Sequence, residues 1–257
     1  MTFQLGQAIS DGIKRILTPT GGILLVVFFA IQLLTQASIN TAVISFFPAG
    51  PAGEIEAALG MTLPVSGTVA AGLFVGAVVL SSAYFVVLSR ALTRPTAELS
   101  SFPSDLYTRR MGRATLSLFV GGLIVGPAII IGFVMLFIPG IFFAVSFLFF
   151  TFAVGVEDRG IVDGLKRSWG LSRGNRLKLS VLVILAGVIG FISGIVGTLF
   201  DITNAAIVGE LIVNTINSIL FVLLYGIIAA AYLQLQGDTP ERVDTNGVSE
   251  SLDSIGS

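Results

Sequence analysis

Neither cysteine nor histidine occurs anywhere in the 257-residue chain. Their absence excludes disulfides, thiolate chemistry and the usual zinc, haem and iron–sulfur ligand sets. It also removes the side chain most often used as a general base near neutral pH. Charge is scarce too: 11% of residues are Asp, Glu, Lys or Arg, against roughly 25% in soluble domains. So few charges cannot clothe a water-facing surface of this size. With 54% hydrophobic residues and a mean hydropathy of +0.96, the composition is that of an integral membrane protein. No cofactor, metal or nucleic-acid partner is expected, and the missing catalytic groups argue against an enzyme.

What is present is apolar sequence in long runs. A crossing helix needs about 20 mainly apolar residues, and six stretches qualify: Gly21 to Ile44, Val65 to Leu88, Leu116 to Phe137, Ile141 to Val156, Leu179 to Phe200 and Leu211 to Leu233. Lys14 and Arg15 precede the first run, which is too long for a cleaved leader and reads as a retained span. Pro139-Gly140 is expected to form the tight turn between the third and fourth spans. The phenylalanines of the fourth span, in "IFFAVSFLFFTF", are expected to face lipid.

The few charges are segregated. With the N-terminus in the cytoplasm, the inner segments are 1–20, 89–115, 157–178 and 234–257, and all 14 Lys and Arg residues fall in them. Glu54, Glu56, Asp201 and Glu210 are the charges of the outer loops. Orientation follows Lys and Arg in short loops, so an N-in, C-in topology in the cell membrane is expected. The fold class is all-α: a six-helix polytopic domain over 1–235, then a disordered acidic cytoplasmic tail over 236–257. The outer loop "PAGPAGEIEAALGMTLPVSG" (48–67) has room for a short surface helix between its prolines.

A repeat divides the spans. "ISDGIKR" (Ile9–Arg15) and "IVDGLKR" (Ile161–Arg167) share five of seven residues, and each precedes a hairpin. "SDLYTRR" (Ser104–Arg110) is a weaker copy before the middle hairpin. The chain therefore parses as three units, each an interfacial helix plus two spans. In the third unit Ile161, Leu165 and Trp169 form an apolar stripe, and Asp163 stands one turn from Arg167, as Asp11 does from Arg15. Such helices lie in the headgroup plane with basic side chains toward anionic lipid. Gly174-Asn175 marks the helix stop.

No Asp, Glu, Lys or Arg falls clearly inside the six stretches, which lowers the reading of an ion-coupled carrier. The spans hold small residues instead. Gly72/Gly76, Gly122/Gly126 and Gly190/Gly194 are GxxxG pairs, and Gly187, Gly190, Gly194 and Gly197 share one face. Close packing within the bundle is the first expectation for them, and self-association of two copies the second. Gln32, Gln36 and Asn40 line one face of the first span; Asn214, Asn217 and Tyr225 roughly share a face of the sixth. They stand either for hydrogen bonds between helices or for a polar cavity.

The block "VEDRGIVDGLKRSWGLSRGNRLKL" (Val156–Leu179) resembles the segment before the penultimate span in a group of six-span membrane proteins. The group includes the membrane domain found beside bacterial glycerophosphoryl diester phosphodiesterases, and uncharacterised archaeal, including haloarchaeal, integral membrane proteins. The resemblance implies the six-span fold and membrane placement. It implies no activity, because catalysis in the phosphodiesterases belongs to a separate soluble domain with histidines, and this chain has none. The resulting expectation is a non-enzymatic scaffold or lipid-interacting accessory to other membrane proteins, with Lys166, Arg167, Arg173 and Arg176 holding lipid headgroups. The alternative is a transporter or small-solute permease built around Gln32, Gln36, Asn40, Asn214 and Asn217.

Overall fold

The computed structural model describes residues 4–47, 60–100, 102–202 and 206–237. The short helix expected in the outer loop, and the tail from 238 onward, lie outside them. The described elements are helical: α1 (Leu5–Ile16), α2 (Pro19–Ile44), α3 (Gly67–Leu92), a 3-10 turn (Thr96–Ser100), α4 (Asp105–Thr108), α5 (Met111–Met135), α6 (Phe137–Ser146), α7 (Phe150–Gly155), α8 (Ile161–Ser172), α9 (Arg176–Ile202) and α10 (Ala206–Gly237). Six segments are long and apolar enough to cross a membrane: α2, α3, α5, α6 with α7, α9 and α10. Their starts carry ordinary signals. Pro19 opens α2, where its missing N–H costs nothing, and the Thr18 hydroxyl accepts from the Gly21 N–H.

The three-unit parse holds: α1 precedes the α2/α3 hairpin, α4 the α5/α6–α7 hairpin, and α8 the α9/α10 hairpin. The repeat now has a mechanical meaning. A Cβ on Gly12 would lie 2.7–2.9 Å from the backbone of Gly226 and Ile227, and one on Gly164 would lie 3.0–3.1 Å from Val154 and Phe150. In both copies the glycine is the point of closest approach, where α1 meets α10 and α8 meets α7. The repeated arginines do not pair with the aspartates four residues back. Arg15 donates to the carbonyls of Leu92 and Arg94, and Arg167 pairs with Glu157. A partner across the fold offers a buried acceptor, which a solvated neighbour on the same helix does not.

The face that α8 buries also differs from the expected stripe. Gly164, Ser168, Leu171 and Ser172 are buried, whereas Ile161 and Leu165 are half-buried and Trp169 is exposed. The reason lies in the fourth span. Pro139-Gly140 is not the hairpin turn, which is made by the extended Leu136; the pair sits in the first turn of α6, where proline is tolerated. The span then breaks between Ser146 and Phe150. A broken helix at membrane depth needs its backbone groups satisfied from elsewhere. The Ser168 hydroxyl does so, accepting from the Phe149 N–H (3.1 Å) and donating to the Ser146 carbonyl (2.9 Å).

The break turns three phenylalanines of this span inward: Phe149, Phe150 and Phe152 are buried, contrary to their expected lipid exposure. Phe28 stacks on Phe221 (4.6 Å between centroids), Phe221 on Tyr225 (5.4 Å), Tyr225 on Phe152 (5.5 Å) and Phe152 on Tyr232 (5.2 Å). These stacked rings run from α2 to the last turns of α10, with Phe28, Phe152 and Tyr232 buried in the core and Phe221 and Tyr225 half-buried against it.

The GxxxG glycines do not pack the bundle. A Cβ at Gly72, Gly76, Gly122, Gly126, Gly187, Gly190, Gly194 or Gly197 would meet no atom within 4 Å. The glycines that do bring helices together are others, among them Gly121 against Phe150, Gly132 against Gly140, and Gly155 against Ser89. GxxxG spacing reports a smooth face and not the neighbour that face meets.

Candidate functional site

The described basic residues gather at one end of the bundle, and the structure sorts them by partner. Arg90, in the last turn of α3, is 8% exposed. Its guanidinium donates to the carbonyls of Gly155 (2.7 Å), Leu106 (3.3 Å) and Arg109 (2.7 Å), and to Asp158 (3.2 Å). Asp158 bridges onward to Arg109 at 2.6 Å from a left-handed backbone (φ 53°), a conformation held by these two cations. Arginine suits this place because its planar fork reaches several acceptors at once.

A second knot surrounds Glu157, which accepts from the Tyr232 hydroxyl at 2.6 Å, from Arg167 at 3.0 Å and from Arg159. Burial opposes its charge, yet the hydrogen bonds from Tyr232, Arg159 and Arg167 together outweigh burial and hold its carboxyl below the ordinary 4.5. Glu157 thus gives up its proton more readily folded than unfolded. Its stabilising contribution is full above pH 4.5 and is lost as the pH falls through the depressed folded value. Thermal melts of the detergent-solubilised protein from neutral to acid pH are expected to show this loss. In Tyr232→Phe the loss begins at a higher pH, because one of the bonds favouring the carboxylate is gone. Identical profiles for the two proteins would remove Glu157 from the account.

Arg176 opens α9, and its guanidinium packs on an edge-to-face pair of rings, 4.5 Å from the centroids of both Phe142 and Trp169. Trp169 therefore orders a cation rather than only marking the interface. Arg94 pairs with Glu98 and Asp105. Lys14, Arg110, Arg113, Lys166 and Arg173 are exposed and make no ion pair among the described residues. Of the four expected headgroup residues, Lys166 and Arg173 are open to the interface, whereas Arg167 is paired and Arg176 is clamped.

The polar residues of the first and last spans divide. Gln36 donates to Asn40 (3.0 Å), and Asn40 donates to the Met61 carbonyl (3.1 Å), so both serve to hold the chain that follows α2. Glu210 accepts from the Met61 N–H at 2.6 Å and Thr41 from the Leu63 N–H at 2.7 Å, which completes that tie. Gln32 and Asn217 instead line a cavity of about 230 Å³ between α2, α9 and α10, and Asn214 is half-buried outside it. Asn217 Oδ1 accepts from Ser193 of α9 at 2.6 Å. The structure thus brings two of those five residues, Gln32 and Asn217, to one cavity whose other walls are apolar.

Sequence reasoning missed Arg90, Glu157, Asp158, Ser168 and Tyr232 as a connected set. Only the run "VEDRG" beside a span hinted at them, since a carboxylate pair at a helix end invites cations. Among the described residues no cluster of side chains suited to a metal is present.

No curated protein and no solved structure matches the chain. A family model described as a domain of unknown function, DUF7847, matches residues 3–235, nearly the whole helical bundle, and the chain belongs to that family.

Proposed function

We propose that this multi-pass protein is a non-enzymatic, lipid-interacting accessory or scaffold of the cell membrane, with its basic end at the cytoplasmic leaflet. One observation carries the reading: the basic end holds more cations than its internal contacts use. Arg15, Arg90, Arg94 and Arg167 are engaged within the protein, and Lys166, Arg173, Arg110 and Arg113 are left exposed at the same level. Each such residue near an anionic leaflet contributes about 1 kcal/mol. Arg176 is half-buried against its rings and stands beside this surface rather than as part of its open cations. The packed aromatic core speaks for an accessory over a permease, because a solute path would need that interior open.

The test is lipid co-purification. The wild-type protein in mild detergent is expected to carry anionic phospholipid enriched over the bulk membrane, by mass spectrometry. Substituting Lys166, Arg173, Arg110 and Arg113 together with glutamine should return the bound lipid to bulk composition, with the fold intact. Unchanged enrichment in a correctly inserted variant would sink the headgroup reading.

A further inference from the structure

The cavity between α2, α9 and α10 lies near mid-depth: Gln32 is near the middle of α2, Gly190 near the middle of α9, and Asn217 in the N-terminal half of α10, about one turn from its midpoint. Polar groups at that depth lack water and are held by protein or by a ligand. Gln36 and Asn40 obey this rule through their bonds to each other and to Met61. Gln32 has no hydrogen-bond partner among the described residues, and Asn217 uses only its oxygen, for Ser193. Two amide side chains therefore line one cavity with hydrogen-bonding capacity to spare, both ends of Gln32 and the N–H2 of Asn217.

We infer that this cavity binds an uncharged, ring-sized, lipid-soluble carbonyl compound, a quinone in chemical class, through donation from Gln32 and Asn217. Four observations specify the ligand. The cavity offers hydrogen-bond donors and no counter-charge, so an uncharged acceptor fits and an ion does not. Its volume of about 230 Å³ exceeds the roughly 150 Å³ of a cavity that holds a benzene ring. Phe28 and Phe221 supply aromatic walls. Finally, α2 and α9 each pack along α10 and make little contact with each other, so the cleft between them opens sideways to lipid. A phospholipid cannot place its polar group there, because its headgroup is pinned at the interface; a quinone ring can. The inference does not depend on the basic end, and it stands or falls separately from the headgroup reading.

Gly190 shapes the cavity. A Cβ there meets nothing within 4 Å, which makes room for a ligand and also gives a clean experiment. The full chain in maltoside micelles is equilibrated with decyl-benzoquinone, and retention above protein-free micelles is measured by mass spectrometry. Saturable binding is expected, with decylbenzene, which lacks the carbonyls, failing to compete. Gln32→Leu and Asn217→Leu should each weaken binding about tenfold, as for one hydrogen bond lost. Gly190→Leu should abolish it by filling the space, while Gly190→Ala retains it. No saturable retention by the wild type, or equal affinity for decylbenzene, overturns the proposal. Displacement by dioctanoylglycerol at equal concentration overturns the quinone assignment in favour of an ester lipid. These ligand comparisons use the wild type and decide the matter even if a leucine variant fails to fold.

Discussion

Replacing Arg90 with leucine is expected to cost about 3–5 kcal/mol of stability, the range for breaking a buried ion pair from one side. The size follows from what is left behind. Asp158, 11% exposed, keeps only Arg109, which is itself 64% exposed and screened by solvent. The carbonyls of Gly155, Leu106 and Arg109 lose their donor at the same time. Three elements, the ends of α3 and α7 and the segment around α4, share this one side chain's fork, in addition to their direct packing where Gly155 meets Ser89. Arg90→Lys should recover less than half of the loss, because an ammonium has the charge without the geometry. Unfolding in mixed detergent micelles reads both variants. A lysine variant as stable as the wild type would mean that charge alone matters, and the carbonyl contacts would then drop out of the explanation.

Ser168→Ala is expected to destabilise by about 2–4 kcal/mol, since two buried backbone groups lose their partner and each costs about 1–3 kcal/mol. The hydroxyl is a side-chain bridge across the break in the fourth span, taking the Phe149 N–H and giving to the Ser146 carbonyl. A built-in control lies beside it. Ser146 Oγ is buried without a hydrogen-bond partner, so Ser146→Ala should be neutral or slightly stabilising. Hydrogen exchange should quicken at Phe149 in Ser168→Ala and stay unchanged in Ser146→Ala. Equal melting temperatures for the two variants would show that the break is satisfied in another way.

The spans were legible because their signal is length: apolar runs of the right size survive any ambiguity about neighbours. The three-unit layout was legible for a similar reason, since Gly12 and Gly164 recur with their flanking residues. What failed were inferences about which surface a side chain meets. The Asp163/Arg167 spacing allows a local pair, but Glu157 lies where the fold, not the helix turn, brings it. "IFFAVSFLFFTF" looks unbroken because the group that lets it break, Ser168, comes from another helix. The glycine rows were read as packing faces, and the structure leaves them open. In the cleft, residue type and face were enough to single out Gln32 and Asn217. Their separation from Gln36 and Asn40 needed the position of the chain around Met61.

The arginines at the basic end also carry a consequence for biogenesis. Positive residues hold a hairpin on the side from which it enters the membrane, and they are read while the chain is still being inserted. Arg15 and Arg90 are open to that reading only on the nascent chain. In the finished bundle Arg15 is turned onto the carbonyls of Leu92 and Arg94, and Arg90 is enclosed by three others and Asp158. The two residues act first as an address and later as fasteners. Closing the bundle hides the address, because the same two guanidinium groups that flank the first hairpin are then spent on carbonyls and Asp158.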